Sequence, residues 1–175
     1  MSYVKRLGII LLVLLLCVCC DQATKYTAKE LLHPYLPVSL FNDTVRLQYA
    51  ENKGAFLSLG ASLPEETRFW VFTVAVSLAL LGLFTCVVVR FRKMKFSNVL
   101  ALTLILAGSI SNVIDRMLNN GRVIDFLNIG IGSLRTGIFN IADVAITVGV
   151  CLVVLNSFLK VKFNSRQLLS KLRPE

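Results

Sequence analysis

Eight polar residues interrupt apolar stretches of this chain in a way that could support chemistry: Asp21, Gln22, Asn112, Asp115, Arg116, Asp125, Asn140 and Asp143. Asn112 with Asp115 or Arg116, and Asn140 with Asp143, are spaced i,i+3 or i,i+4, which sets each pair on one helical face. Asp143 falls about one turn inside an apolar run, where an ionised carboxylate is costly and an aspartate is by default a functional candidate. Asp125, between Val123-Ile124 and Phe126-Leu127, is a polar residue pinned in an apolar strand. Two aspartates in one low-dielectric site cannot comfortably both ionise, so one keeps its proton and the pair supplies an acid and a base. The charged member can deprotonate a water for attack on a peptide carbonyl. The protonated one can polarise that carbonyl and later protonate the leaving amine. Such chemistry needs no metal or other cofactor, which suits a chain with one histidine, His33, and no H-E-x-x-H.

Structural roles compete for several of these residues. Asp21 and Lys25 form an i,i+4 pair that could simply finish a helix. Asp115 with Arg116 could anchor a helix at a membrane edge, and Asn140 could be a helix cap.

The elements that must position these residues are membrane spans. The 175 residues are 55% hydrophobic and 17% charged, with a mean hydropathy of +0.71, too much apolar surface to hide in a soluble fold of this size. Four runs reach the length of about 20 residues that crosses a bilayer, at about 4–24, 69–89, 96–114 and 138–159. Lys5 and Arg6 precede the first. Arg90, Arg92, Lys93 and Lys95 join the second and third, and Lys160, Lys162, Arg166, Lys171 and Arg173 follow the fourth, opposed only by Glu175. The positive-inside rule therefore places both termini and the short second connection in the cytoplasm. The longer connections, about 25–68 and 115–137, lie outside. In them Thr44–Tyr49, Ala55–Leu59 and Val123–Ile131 read as strands, Glu51-Asn52-Lys53-Gly54 as a turn, and Pro64-Glu65-Glu66 as the start of a short helix. The expected architecture is one integral membrane domain over 1–175, all-α in its four spans, with a small extracytoplasmic β-cradle and a short outer helix.

Several readings are excluded or disfavoured. The net charge of +9 would suit nucleic acid, but the basic residues flank the spans as topology signals. Cys17 and Cys20 have C-x-x-C spacing inside an apolar run with no histidine near, where cysteine acts as a small hydrophobe. The first run has an n-region in Lys5-Arg6, yet Leu16 is too large for a lipoprotein cleavage box before Cys17, and three more spans follow; an uncleaved anchor is expected. An ion carrier would place its carboxylates near the midplane between repeated halves, whereas these cluster at one boundary without a repeat. A scaffold would not need Asp125 and Asp143. A serine–lysine peptidase using Ser58 or Ser62 lacks a lysine at a compelling spacing.

Five segments occur in order: Asp21-Gln22-Ala23-Thr24-Lys25, Asn52-Lys53-Gly54-Ala55-Phe56, Ser111-Asn112-Val113-Ile114-Asp115-Arg116, Val123-Ile124-Asp125-Phe126 and Phe139-Asn140-Ile141-Ala142-Asp143. Together they closely resemble the lipoprotein signal peptidases (signal peptidase II), over roughly residues 5–160. The resemblance implies an aspartyl endopeptidase of the bacterial inner (cytoplasmic) membrane, its active site near the extracytoplasmic face. Its partners would be membrane lipids and prolipoproteins, cut just before a diacylglyceryl-modified cysteine, and it would act as a monomer. By motif position Asp125 and Asp143 look like the catalytic pair. Asp21, Lys25, Asn52, Gly54, Asn112, Asp115, Arg116 and Asn140 look like supporting residues. Two positions depart from the family's pattern: Ser111 stands where glycine is usual, and Ala55 is single where many members have two alanines.

Overall fold

A computed structural model describes residues 3–32 and 36–171; His33, Arg173 and Glu175 lie outside them. Four helices are long and apolar enough to cross a membrane: α1 (Tyr3–Leu32), α2 (Glu65–Arg90), α3 (Phe96–Leu118) and α4, whose apolar span is Ile141–Lys160. The sheet joins β1 (Val38–Leu40), β2 (Val45–Asn52), β3 (Val123–Ile131) and β4 (Leu134–Arg135). It is antiparallel throughout, in the order β1-β2-β3-β4.

Leucines and valines such as Leu11, Leu15, Leu81, Val88 and Leu155 face outward, as expected where lipid replaces water. The interior is narrower and centres on α3, half of whose apolar stretch is buried. Val99 and Leu106 of α3 pack with Ile10, Val87 and Phe91. Gly108 lets α4 approach α3 closely, since a Cβ there would lie 2.4 Å from the carbonyl oxygen of Ala142; small residues serve this purpose between membrane helices. That contact sets Ala142, and with it Asp143, against α3.

At one end Arg6 ties α1 to the α2–α3 connection. Its guanidinium donates to the Met94 carbonyl at 2.7 Å and lies 4.7 Å from the Phe91 ring centroid. The sheet occupies the opposite end, so both long connections emerge together, above the same helix ends.

Four expectations need correction. Ala55–Leu59 is no strand: it forms a tight 3₁₀ turn, with Leu57 and Ser58 at φ of 52° and 60°. The Asn52 side chain accepts from the Gly54 amide at 2.9 Å, turning the chain before a strand can extend. Glu51 and Asn52, expected in the turn, end β2 instead. The short outer helix is the first turn of α2, continuous through a π-helical stretch, Phe69–Ala75. Finally, α4 begins at Ile141 rather than 138, because Phe139 is paired to Leu127 of β3 in an isolated bridge.

Candidate active site

The late start of α4 creates the site. Asn140 becomes the residue before the helix, and Asp143 its third residue. Asn140 Oδ1 accepts from the Asp143 amide at 2.9 Å, while Asp143 Oδ2 accepts from the Asn140 amide at 3.2 Å. This reciprocal cap satisfies two otherwise orphaned donors. It also holds the Asp143 carboxylate at the first turn of the span. Its other oxygen, Oδ1, accepts from Asn112 Nδ2 of α3 at 3.0 Å.

Asp125 arrives from the sheet. Ala50 of β2 pairs with Asp125, and Asn52 with Val123, so Asn52 and Asp125 share a face of the sheet. Asn52 Nδ2 donates to Asp125 Oδ2 at 3.2 Å, and Asn140 Nδ2 donates to Asp125 Oδ1 at 2.7 Å. Asn140 thus touches both aspartates. Burial and the nearby Asp143 charge push the Asp125 carboxyl up to about 7, against the opposing effect of its two amide donors. Both aspartates line one cavity of about 500 Å³. Asn52, Asn112 and Arg116 complete its polar end, and Leu57, Val76, Phe139, Ile146 and Val148 supply apolar wall.

Behind the cavity lies a buried ionic cluster. Lys25, 1% exposed, spends its three protons on Asp21 at 2.7 Å, Asp115 at 2.9 Å and Asn112 Oδ1 at 2.8 Å. Each carboxylate also grips a backbone amide next to one of the cavity aspartates. Asp21 Oδ1 accepts from Ala142 N at 2.7 Å, and Asp115 Oδ2 from Ile124 N at 3.0 Å. Asp21 therefore does more than end a helix, since α1 continues to Leu32.

Arg116 does not pair with Asp115. It donates to the Gly54 carbonyl at 2.9 Å and sits 6.0 Å from the Phe72 ring centroid, tying the 3₁₀ turn to α3. Gly54 is required by close approach: a Cβ there would meet the Leu59 carbonyl oxygen at 2.4 Å. Of the ten candidates, Asn52, Asn112, Arg116, Asp125 and Asp143 line the cavity, Lys25, Gly54 and Asn140 hydrogen-bond to that wall, and Asp21 and Asp115 stand one step further back through Lys25.

Two further residues, Gln22 and Ser111, join this cluster. Gln22 stands among the polar residues of the apolar stretches and Ser111 at a departure from the family's pattern, but their partners lie 89 or more positions away in sequence.

Two carboxylates steadied by amides, one from the sheet and one from the first turn of a span, thus open on one amphipathic cavity in a chain with four helices apolar enough to cross a membrane. The profile of signal peptidase (SPase) II matches residues 13–159. The chain is 39% identical over 149 residues to the lipoprotein signal peptidase of Syntrophus aciditrophicus, covering 83% of this chain and 89% of that one. It is 34% identical over 165 residues to that of Teredinibacter turnerae, covering 93% and 92%. A bacterial membrane enzyme solved in meso at 2.3 Å resolution superposes with a TM-score of 0.74 at 29% identity, over 90% of this chain and 91% of the other. The chain belongs to the signal peptidase II family, whose members are membrane proteases.

Proposed function

We propose that this protein is an aspartyl endopeptidase that removes signal peptides from prolipoproteins, cutting before a diacylglyceryl-modified cysteine. One observation carries the mechanism: Asp125 and Asp143 come from a sheet strand and a span, line one cavity, and are bridged by Asn140. Near neutral pH Asp125, pushed up to about 7, is the member suited to hold a proton, and Asp143 is the base. Asp143 takes a proton from a water held between them as the water oxygen attacks the scissile carbonyl carbon. Asp125 donates its proton to the carbonyl oxygen, leaving a neutral gem-diol. As the carbon–nitrogen bond breaks, the proton held by Asp143 goes to the leaving amine, and Asp125 recovers its own from the diol.

The location fits the substrate. Acyl chains on the cysteine must stay in the bilayer while the peptide bond meets water, and Asp143 lies in the first turn of a span. The apolar wall formed by Val76, Ile146 and Val148 suits a hydrophobic signal segment. The end carrying Arg6, Arg92, Lys93 and Lys95 faces the cytoplasm by the positive-inside rule, and the sheet lies on the other side of the inner membrane.

The test is cleavage of a diacylglyceryl-modified precursor by purified protein in detergent or liposomes. Asp125→Asn and Asp143→Asn should each lower the rate at least about 10³-fold with expression retained. Full cleavage by either variant would sink the dyad. Equal cleavage of an unlipidated precursor would sink the substrate assignment.

A further inference from the structure

Outside the cavity, the buried Ser111 and the half-buried Gln22 connect the two carboxylates of the Lys25 cluster. The Ser111 hydroxyl donates to Asp21 Oδ2 at 2.8 Å and accepts from Gln22 Nε2 at 2.9 Å. The same Gln22 amide donates to Asp115 Oδ1 at 2.9 Å and to the Ser111 carbonyl at 3.2 Å. Ser111, Asp21 and Asp115 are 0%, 0% and 2% exposed.

Followed outward, this bridge reaches both halves of the cavity. Asp21 holds the amide of Ala142, the residue before Asp143, and Asp115 holds the amide of Ile124, the residue before Asp125. An unbroken relay of hydrogen bonds therefore runs from the backbone beside one aspartate to the backbone beside the other. It passes through Asp21, Ser111, Gln22 and Asp115 without touching the cavity.

Lys25 alone would neutralise the carboxylates but would not orient them, because an ammonium is a point charge with rotatable donors. A hydroxyl that donates to one carboxylate and accepts from an amide fixed on the other has a single geometry. Buried networks with every member satisfied are rigid for this reason.

We propose that Ser111 and Gln22 are positioning residues that set the separation of Asp125 and Asp143 through the backbone of α4 and β3. This rests on the assignment of those aspartates as the catalytic pair. Loosening the relay leaves the substrate-binding wall intact and lets the two carboxyls drift, so the chemical step suffers and binding does not. A displacement of about 1 Å at a catalytic group can cost about 10²-fold in rate, and partial loosening should cost less.

The experiment uses the full-length enzyme on the lipidated precursor. Ser111→Ala keeps volume and removes the hydroxyl; Gln22→Met keeps length and removes the amide. Each should lower kcat about 5- to 30-fold with KM within about twofold. The double variant should be no worse than the weaker single by more than about twofold, since both break one relay. Because drifting carboxyls repel each other less, the alkaline limb of the pH–kcat profile should move to lower pH in both singles, a change that a loss of folded enzyme cannot produce. Wild-type kcat in either variant, multiplicative losses in the double, or an unmoved pH limb would overturn the proposal. Failure of the wild-type protein to cut the lipidated precursor would instead overturn the proposed function.

Discussion

Lys25→Met tests the architecture most directly. The lysine is 1% exposed and is the cation that faces Asp21 and Asp115, themselves 0% and 2% exposed. Methionine fills nearly the same volume, so little cavity term enters. What remains is two buried carboxylates without a counterion and Asn112 Oδ1 without its 2.8 Å donor. Removing one partner of a buried ion pair costs about 3–5 kcal/mol, because the stranded charge keeps its desolvation penalty. For a chain of this size that corresponds to a loss of about 6–20 °C in Tm. Thermal unfolding in detergent, followed by helical circular dichroism, reads it out. The sharper signature lies in the second substitution. Adding Asp21→Asn to Lys25→Met removes one of the two stranded charges and should return about half the lost stability. A further drop in the double variant, or a loss under about 1 kcal/mol in the single, would refute a buried charge cluster and point to a solvated one.

Other outcomes follow from the same geometry. The alkaline limb of the wild-type pH–rate profile should fall near 7, because the proposed mechanism requires a protonated Asp125, whose carboxyl is raised to about 7 by burial and by Asp143. Asn52 donates to Asp125 and pulls that value down, so Asn52→Ala should move the limb to higher pH in the residual activity; an unmoved or lowered limb counts against Asp125 as the acid. Gly54→Ala should lower kcat/KM at least about 10-fold with helical content unchanged, since the added carbon meets the Leu59 carbonyl oxygen at 2.4 Å and pushes the Arg116-bound turn off the cavity. Wild-type kcat/KM in that variant would show that the turn yields freely.

Much of the fold was legible in one dimension. Hydropathy runs long enough to span a bilayer are set by the solvent and not by partners, so four spans could be counted from composition alone. The i,i+4 pair of Asp21 and Lys25 and the i,i+3 pair of Asn140 and Asp143 were likewise local, since helical spacing dictates who can meet. The strand at Val123–Ile131 appears with those same bounds. The segment from Ala55 to Leu59 is short and apolar enough to read as a strand, but the Asn52 side chain and the Gly54 backbone turn the chain first.

Residue types and helical periodicity thus determined that this chain lives in a membrane and carries carboxylates at one boundary. The resemblance of its motifs to the signal peptidase II family singled out Asp125 and Asp143 as the pair to suspect. Pattern and motifs could not show that Asn140 would face both, because that depends on Phe139 pairing with Leu127 and delaying the helix by three residues. Nor could they show that Lys25 would serve Asp115 as well as Asp21. Those contacts join residues about 90 positions apart, and only the packing of α1 against α3 and α4 brings them within hydrogen-bonding distance. In so apolar an interior a buried charge must find every partner it needs, and three helices and a sheet must close together to supply them.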